Sequence, residues 1–236
     1  MGRPGVSDPR VQEALDWLAA KASAKTLEEM APRYGIVTDR AYGVSMANMQ
    51  LLAKRLGRDH DLAQALWETG WYEARMVACM VDDPARVTPR QMDAWRADFD
   101  NWGITDTVCF KLFDQVPHAF AKVGEWAALN DEMGRRAAFA LLACLALHRK
   151  EPNDDFYLDG LKLIETAATD DRNFVRKGVN WALRAIGGKK SPTLRTAARE
   201  TAKRLAASAN PAARWNGKDA LRAFAKADAK TESGTL

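Results

Sequence analysis

Residues 172–187 read RNFVRKGVNWALRAIG. Val175, Val179, Ala182, Leu183 and Ile186 fall three or four positions apart, the spacing of a helix that buries one face. Arg172, Arg176 and Lys177 crowd the start, Trp181 sits in the middle and Arg184 follows it. A core helix with a solvated end accounts for the apolar stripe. A helix whose start meets phosphate, and whose indole faces something other than protein, accounts for the cations and the ring as well.

The stretch has counterparts elsewhere in the chain. RKGVNWALRAI from Arg176 aligns with RWNGKDALRAF from Arg214 at an offset of 38 residues, and Arg136 opens RAAFALLACLA 40 residues upstream of Arg176. Arg75 in EARMVACMV stands at a like place in an earlier helix. A period of about 40 residues with two helices each marks HEAT-type arrays, which stack helix pairs into a curved superhelix. The second helix of each pair then lines the concave side, with a cation near its start.

The rest of the sequence agrees. Helical spacing recurs in VQEALDWLAAKA, MANMQLLAKRL, DLAQALWETG, YEARMVACMV, DTVCFKLFDQV, GRRAAFALLACLALH, FYLDGLKLIETAA, SPTLRTAARETAKRLA and NPAARWNGKDALRAFA. Breakers such as DDP, DNWG, EPNDD and GGKKSP separate them. Ser191-Pro192 and Asn210-Pro211 each place a capping side chain before a proline suited to the first helical position. No alternating strand of useful length is present. The expected fold is all-α, a HEAT-like repeat superhelix with a concave basic face. One domain is expected over residues 11–226, between flexible ends at 1–10 and 227–236.

Composition narrows the function. The 236 residues are 47% hydrophobic and 28% charged, ordinary for a globular protein. The longest apolar run, AAFALLACLAL (137–147), is too short to span a bilayer, and the N-terminus lacks the apolar segment of a secretory signal. Cys79, Cys109 and Cys144 are isolated in apolar runs, so no metal is expected, and a reducing cytoplasm suits them. Charge is unevenly spread. Residues 172–226 hold fourteen Lys and Arg against Glu200 and Asp219, a net of +12 in a chain whose total is +4. The remainder carries −8, an asymmetry that points to a polyanionic partner on the C-terminal half.

In DNWGITDTVC (100–109), Trp102 and Asp106 are four apart and share one face of a helix. The pair has two readings: packing and local capping, or an anion and a π-face bordering a cleft for a substrate that becomes cationic. The chain resembles the DNA alkylation repair family of HEAT-like DNA glycosylases over roughly residues 35–225. The resemblance starts at GVSMANMQLLAKRL and continues through ALWETGWYEARMVACMV. It is most specific in NWGITDTV, GRRAAFALL and FVRKGVNWALRAIG. It implies removal of alkylated purines, such as 3-methyladenine or 7-methylguanine, from double-stranded DNA by hydrolysis of the N-glycosidic bond. It places a catalytic carboxylate on Asp106, cleft aromatics on Trp102 and Trp181, and a phosphate-binding cation on Arg136. Arg176, Lys177, Arg214 and Lys218 are the further expected phosphate contacts. The same resemblance implies a monomer without cofactor, acting from the backbone side with the damaged pair left in the stack. Gly103 stands where members often carry an acid and is expected to loosen the helix start.

Other candidates are weak. GGKKSP (187–192) lacks Walker spacing and reads as a helix stop followed by a cap. His60, His118 and His148 are scattered near helix ends. Trp17, Trp67, Trp71, Trp95, Trp126 and Trp215 read as packing residues, with Trp215 set in the basic segment. Two other functions compete with catalysis. One is a non-catalytic HEAT-like protein that binds damaged or branched DNA, and the other is a scaffold whose basic half meets an acidic protein.

Overall fold

A computed structural model describes residues 8–150 and 153–233. Thirteen α-helices and one 3-10 turn are present among the described residues, and no strand. By its contacts the chain divides into two compact units between Pro117 and His118.

The first unit contains α1 (Pro9–Ala19), α2 (Ala24–Tyr34), α3 (Met46–Leu56), α4 (His60–Glu68), α5 (Tyr72–Val81), α6 (Pro89–Ala97) and α7 (Trp102–Lys111). Helix α5 is its centre, packed by α3, α4 and α7. Eight of its ten residues are buried, including Glu73. A fully buried carboxylate needs donors, and Glu73 has three. The backbone N–H groups of Tyr42, Gly43 and Val44 donate to it at 2.8–3.1 Å. Gly43 adopts φ +74°, and a Cβ there would lie 2.5 Å from the Ser23 carbonyl, so this close approach of chain to chain requires glycine. The Trp67 and Trp95 rings stack at 4.0 Å beneath Phe99 and Phe113. Buried Asp82 accepts from Gln91 at 2.6 Å and lies 2.6 Å from His60 Nδ1. Burial raises the Asp82 pKa, against the lowering effect of His60 and Gln91.

The second unit contains α8 (Ala119–Ala127), α9 (Glu132–His148), α10 (Asp154–Ala167), α11 (Asn173–Gly187), α12 (Pro192–Ala206) and α13 (Pro211–Ser233). They pair in sequence: α8 with α9, α10 with α11, α12 with α13. The second helices form one row, α9 against α11 against α13, while α10 packs on α8 and α12 in the other. This is the layering of a helical repeat array. Helix α11 holds the row together with Val175, Val179, Leu183 and Ile186, all fully buried. Each such side chain contributes about 1.5–3 kcal/mol. Ser191 caps α12 through its hydroxyl, and Asn210 accepts from the amides of Ala212 and Ala213 at 2.9 and 3.0 Å. Helix α13 runs to Ser233, past the residue 227 where a flexible end was expected.

Polar bonds join neighbouring repeats at offsets near the repeat length. Arg136 donates to the Phe174 carbonyl at 2.8 Å and Asn180 to that of Asn216 at 3.3 Å. Arg204 pairs with Glu165 at 2.5 Å, and Ser191 bonds Asp154. Asp170 joins two arginines. It accepts from Arg172 Nε and Nη2 at 2.9 and 2.6 Å and from Arg135 at 2.9 Å. The Arg172 bond leads in holding its carboxyl down at about 2, from an ordinary 3.8.

Asp170→Asn is expected to lower stability at neutral pH by about 1–2 kcal/mol, because two guanidinium groups lose a shared charge. The folded-state pKa of Asp170 lies below the unfolded value. Its stabilisation is therefore complete above about pH 4 and is lost as the pH falls through about 2. Denaturant melts of parent and variant should converge over that interval; a constant difference would contradict the assignment.

Candidate nucleic-acid interface

In the first unit the interface candidate is the outward face of α7. Asn101 precedes it, buried, and its side-chain oxygen accepts the Ile104 amide at 3.1 Å. Its carbonyl takes the Thr105 hydroxyl at 2.8 Å. This start is fixed rather than loosened by Gly103. A Cβ on Gly103 would lie 2.8 Å from the Tyr72 hydroxyl and 3.0 Å from Ile36 Cδ1, so glycine lets α7 seat against α5. Trp102 occupies the first helical position, half-buried, and its indole N–H donates to the Tyr34 carbonyl at 2.7 Å. Tyr34 ends α2, where Gly35 turns the chain with φ 63°. Asp106 follows Trp102 by one turn and is half-buried. Phe110, 37% exposed, extends the stripe by a further turn. Neither Tyr34 nor Phe110 was singled out in the sequence. Phe110 was findable as the next i+4 residue after Asp106.

In the second unit the candidate is the outward stripe of α11, where exposed Lys177, half-buried Trp181 and exposed Arg184 succeed one another at i+4 and i+3. No hydrogen bond holds the Trp181 indole among the described residues. The start of α11 differs from expectation. The Phe174 amide already has an internal anion, Glu132 Oε1 at 3.0 Å, and Arg172 is bound to Asp170. The first turn is thus supplied with negative charge by the protein itself, and the cations available on this helix lie further along.

The expected phosphate contacts fall into two kinds. Lys177 and Lys218 are exposed and have no ion-pair partner among the described residues. Arg176 stacks on Trp215 at 4.7 Å, and its Nε is buried without a hydrogen-bond partner. Arg214 spends one terminal nitrogen on the carbonyls of Ser208 and Ala209, at 2.9 and 3.1 Å. Arg136 is only 6% exposed and clasps the Phe174 backbone and ring. Arg136 and Arg214 each donate to backbone carbonyls within the second unit. Trp102 and Asp106 lie in the first unit; Trp181 and all five cations lie in the second.

No group of His, Cys, Asp and Glu residues able to hold a metal ion occurs among the described residues. Cys79, Cys109 and Cys144 are buried, and burial raises the Cys79 thiol pKa, suppressing the thiolate. No helix among the described residues is long and apolar enough to cross a membrane.

Paired helices in register, with a cationic stripe on the second helices, define a HEAT-like repeat fold. A solved structure superposes with a TM-score of 0.74 over 82% of each chain, at 21% identity. It is described as a new family of proteins related to the HEAT-like repeat DNA glycosylases with affinity for branched DNA structures. No curated protein sequence matches the chain. The sequence profile of the DNA alkylation repair enzyme family matches residues 14–224, and the chain belongs to that family.

Gly103→Ala is expected to destabilise the protein by about 1–3 kcal/mol, the range for overpacking a close contact. Adding Tyr72→Phe removes the nearest atom and should recover part of that loss. Additive losses in thermal melts of the single and double variants would show that the Tyr72 hydroxyl is not the obstacle.

Proposed function

We propose that this protein hydrolyses the N-glycosidic bond of alkylated purines, such as 3-methyladenine and 7-methylguanine, in double-stranded DNA. The observation that carries the reading is the α7 stripe. In a member of the DNA alkylation repair family, an indole and a carboxylate stand one turn apart on the outward face of a capped helix. N-alkylation makes the purine cationic, so it departs with little acid assistance, and the sugar takes on oxocarbenium character. Asp106 stabilises that charge and orients a water for attack on the anomeric carbon. Trp102, one turn away on the same helix, adds cation–π stabilisation, and Trp181 offers the second unit an aromatic face for DNA. Arg176, Lys177 and Lys218 hold backbone phosphates, while Arg136 and Arg214 brace the segments that present them. The damaged base stays in the stack, and the enzyme acts as a cytoplasmic monomer without a cofactor.

A second reading is binding of branched DNA without bond cleavage, favoured by what is described for the solved relative. Single-turnover release of free base from methylated duplex separates the two. Asp106→Asn is expected to slow release about 100-fold or more at unchanged DNA affinity, as for loss of an aimed electrostatic group. Equal rates would remove Asp106 from its role. Tight binding without release by the parent would establish the second reading.

A further inference from the structure

The sequence GGKKSP reads as a helix stop, yet the structure builds a cationic pocket around it. The pocket, about 330 Å³, opens at the C-terminal end of α11, between α12 and α13. Arg184, Lys189, Lys190, Arg195 and Arg199 line it, with Asp228 as its one acid. Its wall is constructed for close approach. A Cβ on Gly187 would lie 2.3 Å from the Phe224 ring, so glycine admits that ring against the α11 backbone. Phe224 is 4% exposed, and the Arg199 guanidinium lies 5.0 Å from its centroid.

The five cations are not equally occupied. Arg199 gives one terminal nitrogen to both Asp228 oxygens at 2.8 and 3.0 Å, and Arg195 reaches the same carboxylate at 3.7 Å. Lys189 turns to the carbonyls of Ala146 and Arg149 over the Tyr157 ring, and burial lowers its pKa. Arg184 and Lys190 are exposed, and neither has an anionic partner among the described residues. The pocket's formal charge is thus +4. Such an excess in one recess is self-repulsive and is relieved by an anion with several acceptor oxygens.

Its position says which anion. Lys177, Trp181, Arg184 and Gly188 follow one another on a single face of α11, so the pocket continues the outward stripe. Eleven residues from Lys177 to Gly188 rise about 16 Å, which corresponds to about five phosphates of one strand at 3.4 Å each. We propose that this pocket is a second phosphate site, which takes the sugar–phosphate backbone of the duplex flank about five base steps from Lys177. It rests on the DNA-binding part of the function proposed above. The contact is independent of base identity and anchors undamaged flank beside the stretch that Lys177 and Trp181 meet.

The test is fluorescence anisotropy with the full chain and a 30-base-pair undamaged duplex across a salt series. Arg184→Gln combined with Lys190→Gln should weaken binding at low salt at least tenfold. It should also flatten the slope of log K against log salt by about 1.8, or 0.9 per lost phosphate contact. Both side chains are exposed, so the thermal melt should not move. Asp228→Asn, which frees Arg199 and Arg195, should tighten binding and steepen the slope. Unchanged affinity and slope in the double variant, with the parent binding DNA normally, would overturn the pocket assignment alone. Absence of DNA binding by the parent would overturn the function proposed above. Inorganic pyrophosphate at constant ionic strength distinguishes a free ligand. If it binds the parent but not the double variant while duplex affinity is equal in both, the pocket serves a small phosphate compound and the backbone proposal falls.

Discussion

The second unit depends on one constraint: α11 must bury an apolar face between α9 and α13 while its opposite stripe stays free. Val175, Val179, Leu183 and Ile186 meet the first demand. Lys177, Trp181 and Arg184, on the other side, meet the second. Bonds between repeats fix the register. Arg136 to Phe174 and Asn180 to Asn216 each span about one repeat and satisfy polar groups that burial would otherwise penalise. A slip of one residue along either helix would break these bonds and turn Trp181 toward the core. The repeat thus does more than stack helices, since it decides which side chains remain on the surface.

The same division of labour appears in the first unit. Glu73 ties the 42–44 segment to α5, and Asn101 and Gly103 seat α7 against Tyr72. What is left outward on α7 is an aromatic, an acid and another aromatic at successive turns. The indole N–H of Trp102 is anchored to the Tyr34 carbonyl, which fixes one edge of the half-buried ring. A ring held in this way has little rotamer freedom left to lose.

Much of this was legible in the sequence, and the exceptions have physical causes. Helices α9, α11 and α13 announce themselves through long apolar stripes. Helices α2, α6 and α8 do not. They are short, α2 carries Pro32 within it, and α6 is rich in polar residues. The Trp102–Asp106 spacing was readable because it lies within one helix. The anchoring of Trp102 by Tyr34 was not, because 68 residues separate the partners. The burial of Arg136 was equally hidden, because its partner, the Phe174 carbonyl, lies 38 residues away. Likewise GGKKSP carries no recognisable motif. Its cations become a pocket only when Arg195, Arg199 and Asp228 arrive from α12 and α13.

The most direct measurement of the central claim is mass spectrometry of the small molecules liberated when excess protein meets duplex DNA treated with a methylating agent. The account predicts free methylpurines, matched one for one by abasic sites in the recovered strand. Intact glycosidic bonds in DNA that is demonstrably bound would contradict it.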